Sequence, residues 1–270
     1  MTLTPAQAAE LIQRHGLSPS RALGQNFVVD PNTVRRMVRV AGVEPGDHVV
    51  EVGPGLGSLT LALAEAGASV IAIELDRYVL PALREVVSDT DVRVVEGDAL
   101  TVDWPSLLQG APRWSLVANL PYNVATPLVL DLLDRVPAIG RLTVMVQREV
   151  AERLAAGPGS KAYGIPSVKV AYWATAEVVG KVPASVFLPR PKVESAVVRI
   201  ERRADGPATS ADRERLFALV RAGFGQRRKM LRRALVGLVE PDAFARAGVR
   251  PEARAEELTV SDWGRLADAT

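Results

Sequence analysis

Four consecutive residues, Asn119-Leu120-Pro121-Tyr122, carry the most telling chemistry in the chain. An exocyclic adenine amine is a poor nucleophile because its lone pair is delocalised into the ring. Two acceptors that hold its N–H bonds can direct that lone pair at an electrophilic methyl group. The Asn119 side-chain oxygen and the Leu120 carbonyl are the candidate acceptors, with Pro121 fixing the backbone. Tyr122 can stack on the base, a contact worth roughly 1–3 kcal/mol. Orientation and polarisation of the amine would then do most of the work, and the methylated amine sheds its proton without a strong base. Read alone, the four residues are equally an Asn-Pro turn with a buried tyrosine, so the residues upstream decide.

Upstream, Glu51-Val52-Gly53-Pro54-Gly55-Leu56-Gly57 follows an apolar strand and precedes a helical pattern. Gly53 and Gly55 let the backbone turn sharply and approach a ligand without a Cβ clash. Ser58 stands where a dinucleotide fingerprint has its last glycine, which tilts the loop away from NAD without excluding it. Glu74 closes the next strand, where a carboxylate can accept both hydroxyls of a ribose. NAD and S-adenosylmethionine share that ribose, so both stay open here. Asp76 faces the other side of an extended chain and is the weaker candidate. Asp98 follows the third strand and can accept the amino group of an adenine, or simply cap a helix. Glycine loop, Glu74 and Asp98 fall at three successive strand ends, the edge where open α/β sheets hold ligands.

The elements that must position these residues alternate. His48–Val52, Ser69–Glu74, Val92–Glu96, Trp114–Asn119 and Arg141–Gln147 read as buried strands rich in valine and isoleucine. Ser58–Ala66 and Tyr78–Ser88 have helical spacing of apolar residues between them. The expected fold is α/β, a doubly wound, Rossmann-like and mostly parallel sheet covered by helices on both faces. Ala171–Val179 and Glu194–Ile200 would complete seven strands. Arg202–Asp212 reads as a linker, followed by a helix with Leu216, Phe217, Val220 and Phe224 on one face and a capping box from Thr209 and Asp212. The expected division is a domain over residues 1–203 and a small helical domain over 207–270, too short for a large core of its own.

Composition narrows the chemistry further. The 270 residues contain no cysteine, which excludes disulfides, thiolate metal sites and methylation through a cysteine adduct. With only two histidines, His15 and His48, no histidine-rich metal site is expected, and His48 opens an apolar strand in a structural role. The net charge of +2 is small, but a small sum can hide a basic patch. No signal peptide is read at the N-terminus. The longest uncharged stretch, Trp114–Leu130, is broken by Asn119, Pro121, Asn123 and Pro127 and cannot span a bilayer. A cytoplasmic monomer is the expectation, with no metal and no membrane partner.

The motifs taken together resemble the small-subunit ribosomal RNA adenine dimethyltransferase (KsgA/RsmA) family, nearly end to end. The resemblance runs through Leu23-Gly24-Gln25-Asn26-Phe27, the Glu51–Gly57 loop, Ile73-Glu74-Leu75-Asp76 and Asn119-Leu120-Pro121-Tyr122. It continues through Ser160-Lys161-Ala162-Tyr163-Gly164, the segment Phe187–Ala196, and Phe224-Gly225-Gln226-Arg227-Arg228-Lys229. It implies a Class I S-adenosylmethionine methyltransferase domain over residues 1–203, an RNA-binding role for 207–270, and conversion of two adjacent adenosines near the 3′ end of 16S rRNA to N6,N6-dimethyladenosine, late in small-subunit assembly. It further implies cofactor contacts from Asn26, Val28, Gly53, Glu74, Asp98 and Asn119, and a base sandwiched between Tyr122 and Phe187. Two positions depart from the family's habit: Val28 where leucine is frequent, and Pro166 where leucine is expected.

In a chain of this kind a basic face grips RNA phosphates. A helical wheel over Phe224–Leu238 puts Arg228, Lys229, Arg232 and Arg233 on one side, and Met230, Leu231, Ala234, Leu235 and Leu238 on the other. The N-terminal arginines Arg14, Arg21, Arg35 and Arg36 are candidates to extend that surface. Three rival readings remain: a large-subunit rRNA dimethyltransferase of the macrolide-resistance type, a non-catalytic RNA-binding assembly factor, and an NAD dehydrogenase. Leu120 and the Ser160–Gly164 segment weigh against the first, and the intact glycine loop, Glu74 and Asn119 against the second. The third lacks a histidine or lysine suited to hydride chemistry near the fourth strand.

Overall fold

Apolar runs that can be covered on both faces become the inner strands of a parallel sheet. In a computed structural model describing residues 2–19 and 25–270, the strands in chain order begin with β1 (Phe27–Val28), β2 (His48–Val52), β3 (Ser69–Glu74) and β4 (Arg93–Glu96). They continue with β5 (Trp114–Asn119), β6 (Ile139–Gln147), β7 (Ala174–Val182), β8 (Phe187–Leu188) and β9 (Ser195–Arg202). Seven of them form one sheet in the order β4-β3-β2-β5-β6-β9-β7. Pairings from β4 to β6 are parallel, and β9 runs antiparallel to β6. Val49, Val50, Leu116, Val117 and Val144 on these inner strands have no exposed surface. The chain builds outward from β2 through β3 to β4, then crosses to β5 and β6 on the other side. The carboxyl ends of β2 and β5 therefore flank the crevice where such sheets bind ligands. His48 packs edge-on against Trp114 at 5.0 Å between ring centroids, a structural contact joining the starts of those two strands.

The expected strand Ala171–Val179 begins later. Residues Ile165–Trp173 form a helix that starts at Gly164, and the strand starts only at Ala174. A short apolar run such as Ala171-Tyr172-Trp173 does not distinguish the two states by periodicity. Pro166 falls in the first turn of that helix, where its missing N–H forfeits no helical bond.

The chain divides into two units, one of Met1–Ala151 with Glu177–Glu201, the other of Glu152–Ala176 with Arg202–Thr270. The sequence pattern does not anticipate Glu152–Ala176 in the helical unit, and its place there has a packing reason. Tyr163, Val168 and Tyr172 join Leu216, Val220, Leu231, Phe244 and Trp263 in one buried cluster, giving the short C-terminal stretch a core it could not build alone. Arg227 staples this unit: its guanidinium pairs with Glu256 at 2.7 Å and donates to the Tyr163 carbonyl at 2.7 Å and the Lys161 carbonyl at 3.0 Å.

Two expectations for the helical unit are corrected. The helix Arg213–Gly225 is capped by Asp212 alone, whose side chain accepts from Arg215 N at 2.7 Å, and Thr209 takes no part in a capping box there. Phe224–Leu238 is not one helix. Arg213–Gly225 ends, the chain turns through Gln226–Met230, a single-turn helix occupies Leu231–Ala234, and another turn follows. Arg227, on the turn, donates to the Tyr163 and Lys161 carbonyls. Met230 and Leu238, expected on the covered face, are 40% and 48% exposed. Among the described residues no helix is long and apolar enough to cross a membrane.

Candidate active site

At the carboxyl ends of β2 to β5 the strands and their following loops enclose a cleft with about 1020 Å³ of empty space, part of it open to solvent. Asn26, Val28, Gly53, Gly55, Glu74, Asp98 and Asn119, the residues singled out for cofactor contact, all line it. The loop after β2 folds as its glycines require. Gly53 has φ +69°, and a Cβ there would press on the Pro121 ring at 3.2 Å. At Gly55, φ +57°, a Cβ would clash with the Phe27 ring at 2.7 Å. The glycine loop thus packs its backbone directly against the Pro121 and Phe27 rings.

Glu74 is buried at the end of β3, and burial raises its carboxyl pKa. Its two oxygens accept the backbone N–H groups of Asp76 at 2.9 Å and Gly55 at 3.1 Å. Those bonds fix the carboxylate and leave further lone pairs to accept ligand hydroxyls. Asp76 also lines the cleft, against the expectation that it faces away, and its oxygens accept from Gln25 Nε2 at 2.7 Å and Tyr78 N at 2.9 Å. Asp98 lines the cleft while one of its oxygens accepts from Leu100 N at 2.9 Å, so the turn-holding and ligand-facing readings coexist.

Asn119 ends β5 with its amide oriented. Nδ2 donates to the Asn26 carbonyl at 3.1 Å, which leaves Oδ1 as the acceptor. Pro121, two residues on, lines the same cleft, whereas Leu120 is buried with its N–H donated to Met145 O at 3.0 Å. Tyr122 is half-buried, and its hydroxyl shares a 2.8 Å bond with the fully buried Ser195. Burial of the ring raises the phenol pKa. Phe187 on β8 pairs directly with Val28 on β1 in a two-stranded ribbon. Its ring is only 3% exposed, packed with Val28, Met37 and Val197, so a base reaches it only once it is uncovered.

Sequence reading passes over two residues of the cleft. Glu51 lines it while 1% exposed, with Thr60 Oγ1 donating to it at 2.6 Å. Burial pushes its carboxyl up to about 8. A lone acid inside the apolar strand His48–Val52 is the available signal. Ser58 draws notice in the sequence only for not being glycine; its buried hydroxyl lines the cleft with no hydrogen-bond partner among the described residues.

The basic residues Arg228, Lys229, Arg232 and Arg233 are all exposed, on the turn and the short helix described above. Arg232 is paired with Glu252 at 3.1 Å. Of the N-terminal arginines, Arg14 is held between Glu10 and Glu85. Arg35 and Arg36 are exposed, whereas Arg21, like Leu23 and Gly24 of the first motif, lies outside the described residues.

The ribosomal RNA adenine dimethylase family matches residues 17–270. The Ribosomal RNA small subunit methyltransferase A of Bifidobacterium adolescentis is 49% identical, over 94% of this chain and 89% of that protein. A crystal structure of the 23S rRNA methyltransferase ErmE is similar with TM-score 0.69 and 28% identity, over 90% of this chain and 99% of that one. A dimethyladenosine transferase from Plasmodium falciparum shares the fold with TM-score 0.75, at 23% identity over 89% of this chain and 95% of that one. Glycine loop, strand-end acids and the Asn119–Tyr122 motif are set in a Class I methyltransferase fold matched over nearly the whole chain, and the protein belongs to the ribosomal RNA adenine dimethylase family.

Proposed function

We propose that this enzyme uses S-adenosylmethionine to dimethylate the N6 amines of two adjacent adenosines near the 3′ end of 16S rRNA. It acts in the cytoplasm as a monomer without a metal, late in small-subunit biogenesis, and doubles as an assembly factor. The helical unit serves as an RNA-binding domain through Arg228, Lys229, Arg232 and Arg233. The observation that carries the reading is the oriented Asn119 amide, with Oδ1 left as its acceptor, in a cleft that Glu74 also lines. The higher identity to the small-subunit enzyme, 49% against 28% for ErmE, supports the small-subunit substrate.

The cleft suits the cofactor on its own features. Glu74 offers lone pairs to a ribose, Asp98 an acceptor for an adenine amino group, and Ser58 an unpartnered buried hydroxyl. Gly53 and Gly55 keep the loop free of side chains where a ligand approaches. When bound, S-adenosylmethionine supplies an electrophilic sulfonium methyl group.

The chain's own residues do the rest. A target adenosine leaves its stack and presents its amine to the end of β5. Asn119 Oδ1 and the Leu120 carbonyl accept its two N–H bonds and turn the lone pair toward the cleft. Tyr122 stacks on the base, its ring held by the bond to Ser195, and Phe187 takes the opposite face once uncovered. After each transfer the amine loses a proton to solvent, so no side-chain base is needed, and the second methyl follows the same geometry.

The test is methyl transfer from labelled S-adenosylmethionine to small subunits from cells lacking the enzyme, followed by nucleoside digestion. Label in N6,N6-dimethyladenosine is the expected result. Label confined to another nucleoside, or to large-subunit RNA, would refute the assignment.

A further inference from the structure

Two segments diverge from the ribbon that carries Val28 and Phe187. The helix Pro31–Ala41 leaves β1 through Asp30, and Lys181–Pro183 runs from the end of β7 toward β8. Between them lies a small pocket apart from the cleft, with Arg36, Lys181 and Thr33 at its rim over Met37, Val182 and Val197. Those three apolar residues belong to the cluster that also packs Val28 and Phe187.

The charge of this pocket is one-sided. Its lining contains two cations and no carboxylate. Asp30, the acid that precedes the helix, is committed to Thr33, accepting from its N at 2.8 Å and its Oγ1 at 2.6 Å. Among the described residues neither Arg36 nor Lys181 has an ion-pair partner, in contrast to Arg14 with its two glutamates.

Arg36 is also seated. Its Nη1 donates to the Lys181 carbonyl at 3.3 Å, and its guanidinium lies over Gly180, where a Cβ would collide with Nη2. Gly180 is not among the glycines with positive φ, so the backbone there does not demand glycine. The guanidinium instead occupies the space that a Cβ would take. A planar guanidinium with N–H groups to spare matches phosphate oxygens, and a neighbouring ammonium adds a point charge. An apolar floor keeps water from screening that field from below.

We propose that Arg36 and Lys181, seated over Gly180, form a binding site for a backbone phosphate of the RNA substrate. The site rests on RNA being the substrate, as family membership gives, and it adds a fixed grip on the sheet unit itself. A phosphate held here would anchor the strand beside the ribbon that carries Phe187, so that nucleotides nearby present themselves in a set register. Phosphate contacts of this kind position the substrate without reading its sequence.

The test compares wild type, Arg36→Gln, Lys181→Gln and Gly180→Ala for binding to unmethylated small ribosomal subunits over a range of salt, with thermal unfolding as the control for folding. Arg36→Gln is expected to weaken binding roughly 10-fold and to reduce the log–log salt slope by roughly 0.7–0.9. Lys181→Gln, at an exposed side chain, should act in the same direction. Gly180→Ala keeps every charge but pushes the guanidinium aside, so it too should lose affinity. Arg36→Gln with wild-type affinity and slope would overturn the site. So would a weakened Arg36→Gln beside a Gly180→Ala of undiminished affinity, since that pattern means diffuse attraction rather than a built pocket. A wild-type protein that does not bind small subunits at all would remove the substrate reading, and this site with it.

Discussion

The sheet edge and the segment Phe224–Leu238 both show a clear pattern in sequence, and they fold differently with respect to it. At the sheet edge, Gly53, Glu74, Asp98 and Asn119, drawn from four separate strand ends, line one cleft. In Phe224–Leu238 the expected two-sided helix is a helix end, a turn, a single-turn helix and another turn. The difference lies in what each pattern presupposes. A residue at the end of a buried parallel strand is delivered to the carboxyl edge by the strand itself. A helical wheel is valid only while the helix is unbroken, and here Arg227, on the turn, donates to the Lys161 and Tyr163 carbonyls. The basic residues reach solvent all the same, from a turn and a single-turn helix rather than from one continuous helix.

That contrast predicts a ranking of effects. Asn119→Ala should be the most damaging to turnover, by about 100-fold, because it removes an aimed acceptor. RNA affinity should hardly change, and single-turnover rates with bound subunits separate the two quantities. A wild-type rate in that variant would break the claim that the strand end does the chemistry. Glu74→Ala comes next: losing hydrogen bonds to a charged group should weaken S-adenosylmethionine binding roughly 10- to 100-fold. Calorimetry on the folded variant checks this, and unchanged affinity would take Glu74 out of the site.

The tail should respond more weakly and more diffusely. Replacing Arg228, Lys229, Arg232 and Arg233 by glutamine should leave cofactor binding intact and flatten the salt dependence of RNA binding. Each phosphate no longer neutralised should lower the slope by roughly 0.7–0.9. Arg232, already paired with Glu252, should contribute least among them. An unchanged slope would mean that these side chains are only solvated.

A separate effect, on stability rather than on turnover or binding, concerns Glu51, whose carboxyl is pushed by burial up to about 8, well above the usual carboxylate range. A raised carboxyl stabilises the fold relative to its ionised form at low pH, and that contribution is lost as pH rises toward the folded value. Glu51→Gln removes the titration while Gln can still accept from Thr60. The variant's stability relative to wild type should therefore grow between about pH 5 and pH 8, by at most about 1.4 kcal/mol per pH unit. Parallel stability curves would show that Glu51 is ionised in the fold.

How much of this is legible in the sequence depends on the scale of the contact. The glycine loop, Glu74 and the Asn119–Tyr122 motif are readable because each is local. The joining of Ser160–Gly164 to Phe224–Lys229 is not, although each segment stands out as a motif, because Arg227 makes the link across more than one element. The end of the helix Ile165–Trp173 reads as strand because its apolar residues follow no single period. Ser195 is visible only as part of a motif, and its bond to Tyr122 exists only once β9 lies beside β6.

The most direct test of the central claim is mass spectrometry of 16S rRNA from cells lacking this enzyme, complemented with wild type or with Asn119→Ala. Wild type should restore dimethylation of both adjacent adenosines near the 3′ end, and Asn119→Ala should leave them largely unmodified. Full dimethylation restored by Asn119→Ala, or none missing without the enzyme, would contradict the account.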